Sequence, residues 1–252
     1  MYRLFSDIDN TLIYSHRRPL PEERIAVETL DNRVISYMTA TAYDFFCQQE
    51  IVQLVPVTMR TPTQYSRLKD TFDAFGVHYA LVCNGAILLD NNAADVHWLA
   101  ETKSLVAACQ KDLESVNLWL ELNELSKRVY SVDGIMTYAV TEQPQLLAMQ
   151  LNTFLTGSAL CVYSDGRKVY CLPKVLSKGL AIQRFSDYTN SLYSVAAGDG
   201  MPDISMLNAA DFALLPEALS NAVCNRNHKI CPKEQYFSDF ICDYINMHQI
   251  KI

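Results

Sequence analysis

Short apolar runs rich in β-branched and aromatic residues punctuate the first third of the chain, each ending at a polar or glycine position. Tyr2–Ser6, 51–57 and Tyr79–Val82 read as buried strands, because continuous apolar runs suit strands covered on both faces. Between them, residues 39–50 and 63–75 carry helical spacing, the second opening at the start signal Thr61-Pro62-Thr63. Strands alternating with helices predict a parallel sheet with helices on both faces. Pro56 is expected near the carboxyl end of its strand, where one ladder bond can be spared. Residues 15–33 fit a flap or a short hairpin.

From Thr102 the pattern changes. Leu105, Cys109, Leu113, Val116 and Leu120 recur at helical spacing and predict one long amphipathic helix to about Leu125. Strands over 127–132 and 135–140 are joined by Asp133-Gly134, a tight-hairpin signal. A helix over 145–154 precedes a second hairpin, 160–164 with 168–172, turning at Asp165-Gly166. Helix and hairpin are thus repeated, predicting four antiparallel strands with two helices on one face. After Pro173 the first pattern resumes, with a helix at 179–185, strands at 192–197 and 212–215, and a last amphipathic helix, Phe237–His248. The chain therefore reads as α/β, a parallel-sheet core made of 1–85 and 174–252 interrupted by an inserted α+β domain, 86–173.

Composition narrows the function. Half of the 252 residues are hydrophobic, enough for a large core, and the net charge of −7 offers no basic field for nucleic acid or an anionic membrane. No apolar stretch reaches the ~18–20 residues of a membrane span, and the N-terminal residues enter a strand and not a leader, so the protein is expected to be cytoplasmic. The eight cysteines form no CxxC pair and are expected as reduced, mostly buried thiols; the histidines have no paired-ligand spacing, which argues against zinc.

Candidate chemistry gathers at strand ends. The first strand ends in Asp7-Ile8-Asp9-Asn10-Thr11. Aspartates two apart on an extended, turning segment can share a site if the chain bends after Asp7, and Asn10 tolerates the left-handed backbone such a bend needs. The strand at 192–197 ends in Gly198-Asp199-Gly200-Met201-Pro202-Asp203, the strand at 51–57 in Thr58-Met59-Arg60, and Lys178 opens the helix after the insertion. Each has a plain structural reading, as cap or solvated charge, but four segments placing complementary chemistry on one rim argue jointly for a site.

Asp7-Ile8-Asp9-Asn10-Thr11, Thr58, Lys178 and Asp199/Asp203, in that order, resemble the four signature motifs of haloacid dehalogenase-like phosphatases. The insertion lies between the second and third motifs and, with its doubled helix–hairpin content, is similar to the cap of the Cof-type branch (class IIB). Leu81-Val82-Cys83-Asn84-Gly85-Ala86 is also similar to that branch. Met59 and Pro202 depart from it, standing where it often has glycine and asparagine.

The resemblance implies a Rossmann-like core with an α+β cap and a Mg²⁺-dependent phosphatase whose partner is a small phosphorylated metabolite, first of all a sugar phosphate, with no nucleic acid and no membrane. Asp7 is the implied nucleophile, forming an aspartyl-phosphate, and Asp9 the acid and base. Mg²⁺ is implied at the Asp7 carboxylate, the Asp9 carbonyl and Asp199, with Asp203 in or near the shell. Thr58 and Lys178 would hold phosphate, and Arg60 phosphate or the leaving group. Two carboxylates ~4 Å apart repel by about 4 kcal/mol at an effective dielectric of 20, so such a rim needs cations. In the cap, Tyr130, Tyr138, Tyr163 and Arg167 are candidate substrate contacts or plain sheet surface. A phosphosugar mutase, told apart by isomerised product without phosphate release, and a silent binding protein, indifferent to Asp7→Asn, are the alternatives.

Overall fold

A computed structural model describes residues 2–248; residue 1 and residues 249–252 of the expected core segment lie outside it. The chain divides into two compact units, one comprising the chain up to Ala94 and again from Ser177, the other Asp95–Leu176.

The first unit is built on a five-stranded parallel sheet, in the order His228–Cys231, Phe212–Pro216, Ser194–Ala197, Tyr2–Ser6, Val52–Pro56. Every residue of Tyr2–Ser6 and of Ser194–Ala197 is buried, Arg3 included. Ser6 lies opposite Ala197 on one side and opposite Pro56 on the other. From Tyr2–Ser6 the next strand of the sheet is added on one side; from Ser194–Ala197 later strands are added on the other. The strand order therefore reverses between these two, the place where open α/β sheets bind ligands. Pro56 is the last residue of its strand, as its missing N–H requires. The edge strand His228–Cys231 has no apolar run to betray it, since residues 228–230 are exposed.

Residues 15–33 contribute to a hairpin, Arg24–Leu30 against Arg33–Thr39, flanked by Tyr14–Ser15. Its register slips on both sides of Glu28. The helix expected over 63–75 is broken into Pro62–Tyr65, a 3-10 turn at Ser66–Leu68, and Lys69–Ala74. Ile87–Asp90 pairs antiparallel with Tyr79–Val82, Leu81 opposite Leu88, so the chain stays with the first unit to Ala94 and the break falls later than residue 85.

The second unit is a four-stranded antiparallel sheet, in the order Leu160–Asp165, Lys168–Pro173, Met136–Val140, Arg128–Val132. Asp133 and Gly134 both take positive φ in the tight turn between the last two. Leu113, Val116 and Leu120 from one helix and Leu147 and Leu151 from another pack with Ala139, Val169 and Cys171 of the sheet. The single helix expected from 102 to 125 is two, Val96–Val106 and Gln110–Leu122, joined by a 3-10 turn. Val106 and Cys109, with ψ of 2° and 0°, interrupt the α-helical ladder. The kink turns Leu105 outward, 43 % exposed, and puts Val106 in the core instead. Periodicity misses such a break because the apolar spacing resumes beyond it.

Among the described residues, no helix is long and apolar enough to cross a membrane.

Candidate active site

The site lies in the first unit, at the carboxyl ends of the two central strands. Sheet-like hydrogen bonds continue past the strands: Asp7 N–H donates to the Ala197 carbonyl at 2.8 Å, and Val57 N–H to the Ser6 carbonyl at 2.8 Å. Immediately beyond, the chain turns. The N–H groups of Leu12 and Ile13 both donate to the Ile8 carbonyl, and Asn10 takes φ 58°, the left-handed residue the turn requires. Ile8, Leu12 and Ile13 are buried, so the apolar members pin the turn while Asp7 and Asp9 carry its chemistry.

Asp7, Asp199 and Asp203 each bring a carboxylate oxygen to within 4.8 Å of the others. Lys178 joins them, its Nζ 2.7 Å from Asp7 Oδ1 and 2.5 Å from Asp203 Oδ1. This lysine is 1 % exposed and is the first residue of the helix Lys178–Tyr188, capped by Ser177. A helix N-terminus disfavours a cation and burial disfavours any charge, so only its two carboxylates make the position tenable. Two glycines allow the approach. A Cβ on Gly179 would lie 2.4 Å from the Ser205 carbonyl oxygen, and one on Gly198 would lie 2.5 Å from the Asp203 side chain. The N–H of Gly200 donates to Asp203 Oδ2 at 2.9 Å, so both oxygens of Asp203 are engaged within the protein. Thr11 Oγ1 donates to Asp199 Oδ1 at 3.3 Å.

Burial lowers the proton affinity of Lys178, but Asp203 and Asp7 more than offset this and hold its pKa above the ordinary lysine value. Burial pushes the Asp7 carboxyl well up; Lys178 opposes the shift, while Asp203, Asp199 and Asp9 add to it. With all three carboxylates ionised, one ammonium leaves two negative charges uncompensated. One divalent cation is the matching charge, and hard oxygen donors suit magnesium. Ligand oxygens ~2.1 Å from a common octahedral ion lie about 3–4 Å apart, a spacing the observed cluster accommodates.

The Asp9 carboxylate is not in this trio. It accepts from Arg60, Nε to Oδ2 and Nη2 to Oδ1, both at 2.8 Å. The same guanidinium donates to Glu28 through Nη1 and Nη2, both at 2.9 Å, and through Nη1 to the Gln64 carbonyl at 3.4 Å. Arg60 was expected to meet phosphate or the leaving group, yet these five bonds equal its full complement of N–H donors. Thr58 is 1 % exposed, its Oγ1 accepting from Arg60 N–H at 3.1 Å, and its backbone is tied to Leu81 and Asn84. Asp7, Lys178, Asp199 and Asp203 thus meet in one cluster; Asp9, Arg60 and Thr58 form an adjoining one.

Glu28 escaped the sequence reading for a physical reason. Adjacent strand residues face opposite ways, yet Val27 and Glu28 are both buried. The bulge turns Glu28 inward, where Ser36 Oγ donates to it at 2.7 Å and Arg67 Nε lies 3.1 Å away. An acid in a β-rich run was the one available signal.

No protein-family model matches the sequence, and no curated protein matches it. Solved structures do share its fold. Sucrose-phosphatase from Synechocystis, solved with sucrose and phosphate, superposes with a TM-score of 0.63 at 16 % identity, over 98 % of this chain and 97 % of that one. The C-terminal domain of trehalose-6-phosphate phosphatase from C. albicans gives 0.60 at 14 % identity, over 96 % and 91 %. A haloacid dehalogenase-like hydrolase from Bacteroides thetaiotaomicron gives 0.54 at 14 % identity, over 97 % and 100 %. The chain shares the fold of these structures, a Rossmann-like parallel-sheet core with an inserted α+β segment.

Proposed function

We propose that this protein is a Mg²⁺-dependent phosphatase that hydrolyses a small phosphorylated metabolite, a sugar phosphate, through an aspartyl-phosphate on Asp7. The observation carrying this reading is the meeting of Asp7, Asp199 and Asp203 with the buried ammonium of Lys178 at the sheet's switch point.

Bound magnesium would neutralise the carboxylates and the phosphoryl oxygens and favour the ionised form of Asp7. Asp7, Asp199 and, through its backbone carbonyl, Asp9 would hold it. Asp203 takes one hydrogen bond on each oxygen, holds Lys178 and the 198–203 loop, and would stand in or near the metal shell. In the first half-reaction an Asp7 oxygen bonds to phosphorus as the ester P–O bond breaks, and Asp9 gives its proton to the departing oxygen. In the second, water bonds to phosphorus and gives its proton to Asp9 as the Asp7–phosphorus bond breaks, which returns both residues to their starting state. Lys178 offsets the charge on Asp7 throughout, and the Thr58 segment supplies phosphate contacts.

The sugar-phosphate assignment draws on the fold neighbours and on the first unit's own surface. A cavity of about 590 Å³ touches the site at Asn10 and Asp199 and extends over Arg18, Glu217, Lys233 and Gln235. That volume suits a small molecule, and the lining mixes these polar side chains with Pro216, Ala218, Cys231, Pro232 and Phe237. The test is phosphate release from a panel of phosphorylated metabolites, with Mg²⁺ and then with chelator. Release from sugar phosphates that stops on chelation and in Asp7→Asn is expected. Release indifferent to both would overturn the reading.

A further inference from the structure

Arg60 sits in the first unit between two carboxylates of different character. The Glu28 side chain is 1 % exposed, that of Arg60 9 %, and that of Asp9 38 %. The buried end is fixed: Glu28 also takes Ser36 Oγ at 2.7 Å and Arg67 Nε at 3.1 Å, and it lies on a bulge that aims it inward. The outer end is the residue to which the phosphatase reading gives both proton transfers. A guanidinium forked onto two carboxylates is planar, so fixing it on Glu28 sets the plane and position of Asp9. Bidentate contact leaves further lone pairs on the Asp9 oxygens for a proton or a water. Backbone bonds hold the arginine in place as well: Cys83 N–H donates to the Arg60 carbonyl at 2.8 Å, and Arg60 N–H donates to Thr58 Oγ1 at 3.1 Å.

We propose that Arg60 and Glu28 are positioning residues, a buried relay from the Glu28 bulge that holds the Asp9 carboxylate in register with phosphorus, and that Arg60 does not bind substrate. This rests on the reading of Asp9 as the acid and base. The relay is absent from the four short motifs because its anchor comes from the hairpin between the first and second of them.

The two half-reactions make it testable on the full chain with Mg²⁺ and p-nitrophenyl phosphate. The nitrophenolate departs without a proton, so attack by Asp7 needs little from Asp9, whereas hydrolysis of the aspartyl-phosphate needs it as base. In Glu28→Gln and Arg60→Lys, rapid mixing should show a nitrophenolate burst near the wild-type rate, then steady turnover slowed about 10²-fold, the cost of misplacing a catalytic group by about 1 Å. Should a single variant unfold, the double variant Glu28→Leu/Arg60→Met removes both buried charges together and is expected to give the same widened ratio of burst to steady rate. Folded variants in which both rates are unchanged, or fall in proportion, would overturn the relay and leave the phosphatase reading standing. Wild-type protein that gives neither burst nor phosphate release would overturn the phosphatase reading and the relay with it.

Discussion

Replacing Lys178 by methionine perturbs the centre of the site, and its cost can be worked from the distances. Nζ is 2.7 Å from Asp7 Oδ1 and 2.5 Å from Asp203 Oδ1, with both side chains of the Lys178–Asp203 pair 2 % exposed. Without the ammonium, Asp7 and Asp203 face each other uncompensated. At 4.8 Å or less and an effective dielectric of 20 the two, when ionised, repel by at least about 3.5 kcal/mol. Removing one member of a buried ion pair costs ~3–5 kcal/mol, in agreement with that figure. For a protein of this size each kcal/mol moves the melting midpoint by ~2–4 °C, so a fall of roughly 6–20 °C is expected in chelator at neutral pH. Mg²⁺ should recover part of the loss by taking over the compensation, and acidification should recover part by protonating the carboxylates. Calorimetry of Lys178→Met and Lys233→Met, with chelator and with Mg²⁺, reads all of this. Lys233 pairs with Glu217 at the surface, 74 % and 59 % exposed, and its loss should leave the midpoint in place. Equal midpoints for the two variants would refute the electrostatic account of the cluster.

Mg²⁺ itself should stabilise the wild-type protein, and more so as pH rises. Asp7 keeps its proton in the fold after the unfolded chain has lost it, so its contribution in metal-free protein is complete below about 3.8 and is lost as pH rises through the folded value. Metal requires the ionised form, so the Mg²⁺-induced midpoint shift should grow as pH rises through that folded value; a shrinking shift would contradict this. Gly179→Ala must displace either the Ser205 carbonyl or the helix carrying Lys178, and should cost ~1–3 kcal/mol in urea unfolding while weakening Mg²⁺ binding. In the second unit, Leu120→Ala should cost ~2–5 kcal/mol and Leu122→Ala almost nothing, since the first is fully buried and the second 76 % exposed.

What the sequence made legible follows from how each signal arises. Buried strands announce themselves as apolar runs, so Tyr2–Ser6 and the acidic turns at their carboxyl ends could be read directly. Asp133-Gly134 and Asp165-Gly166 marked both hairpins because φ is positive at Asp133, Gly134 and Gly166. The edge strand at 228–231 is exposed and carries no such signal. The helix breaks at 66–68 and 107–109 preserve apolar spacing on either side, which hides them. At the site, Lys178 could be placed by its position in the chain, but not its bridge between Asp7 and Asp203. Arg60 was visible as a charge at a strand end, whereas its commitment to Glu28 depends on a bulge that local pattern does not encode.

The central claim is that phosphoryl transfer passes through Asp7. Its most direct measurement is to quench a reaction of the protein with ³²P-labelled p-nitrophenyl phosphate and Mg²⁺ in acid, then locate the bound label by peptide mass spectrometry. A hydroxylamine-labile phosphate on Asp7, absent in Asp7→Asn and absent without metal, is the expected result. Phosphate released at the wild-type rate by Asp7→Asn, or a label carried by any other side chain, would contradict it.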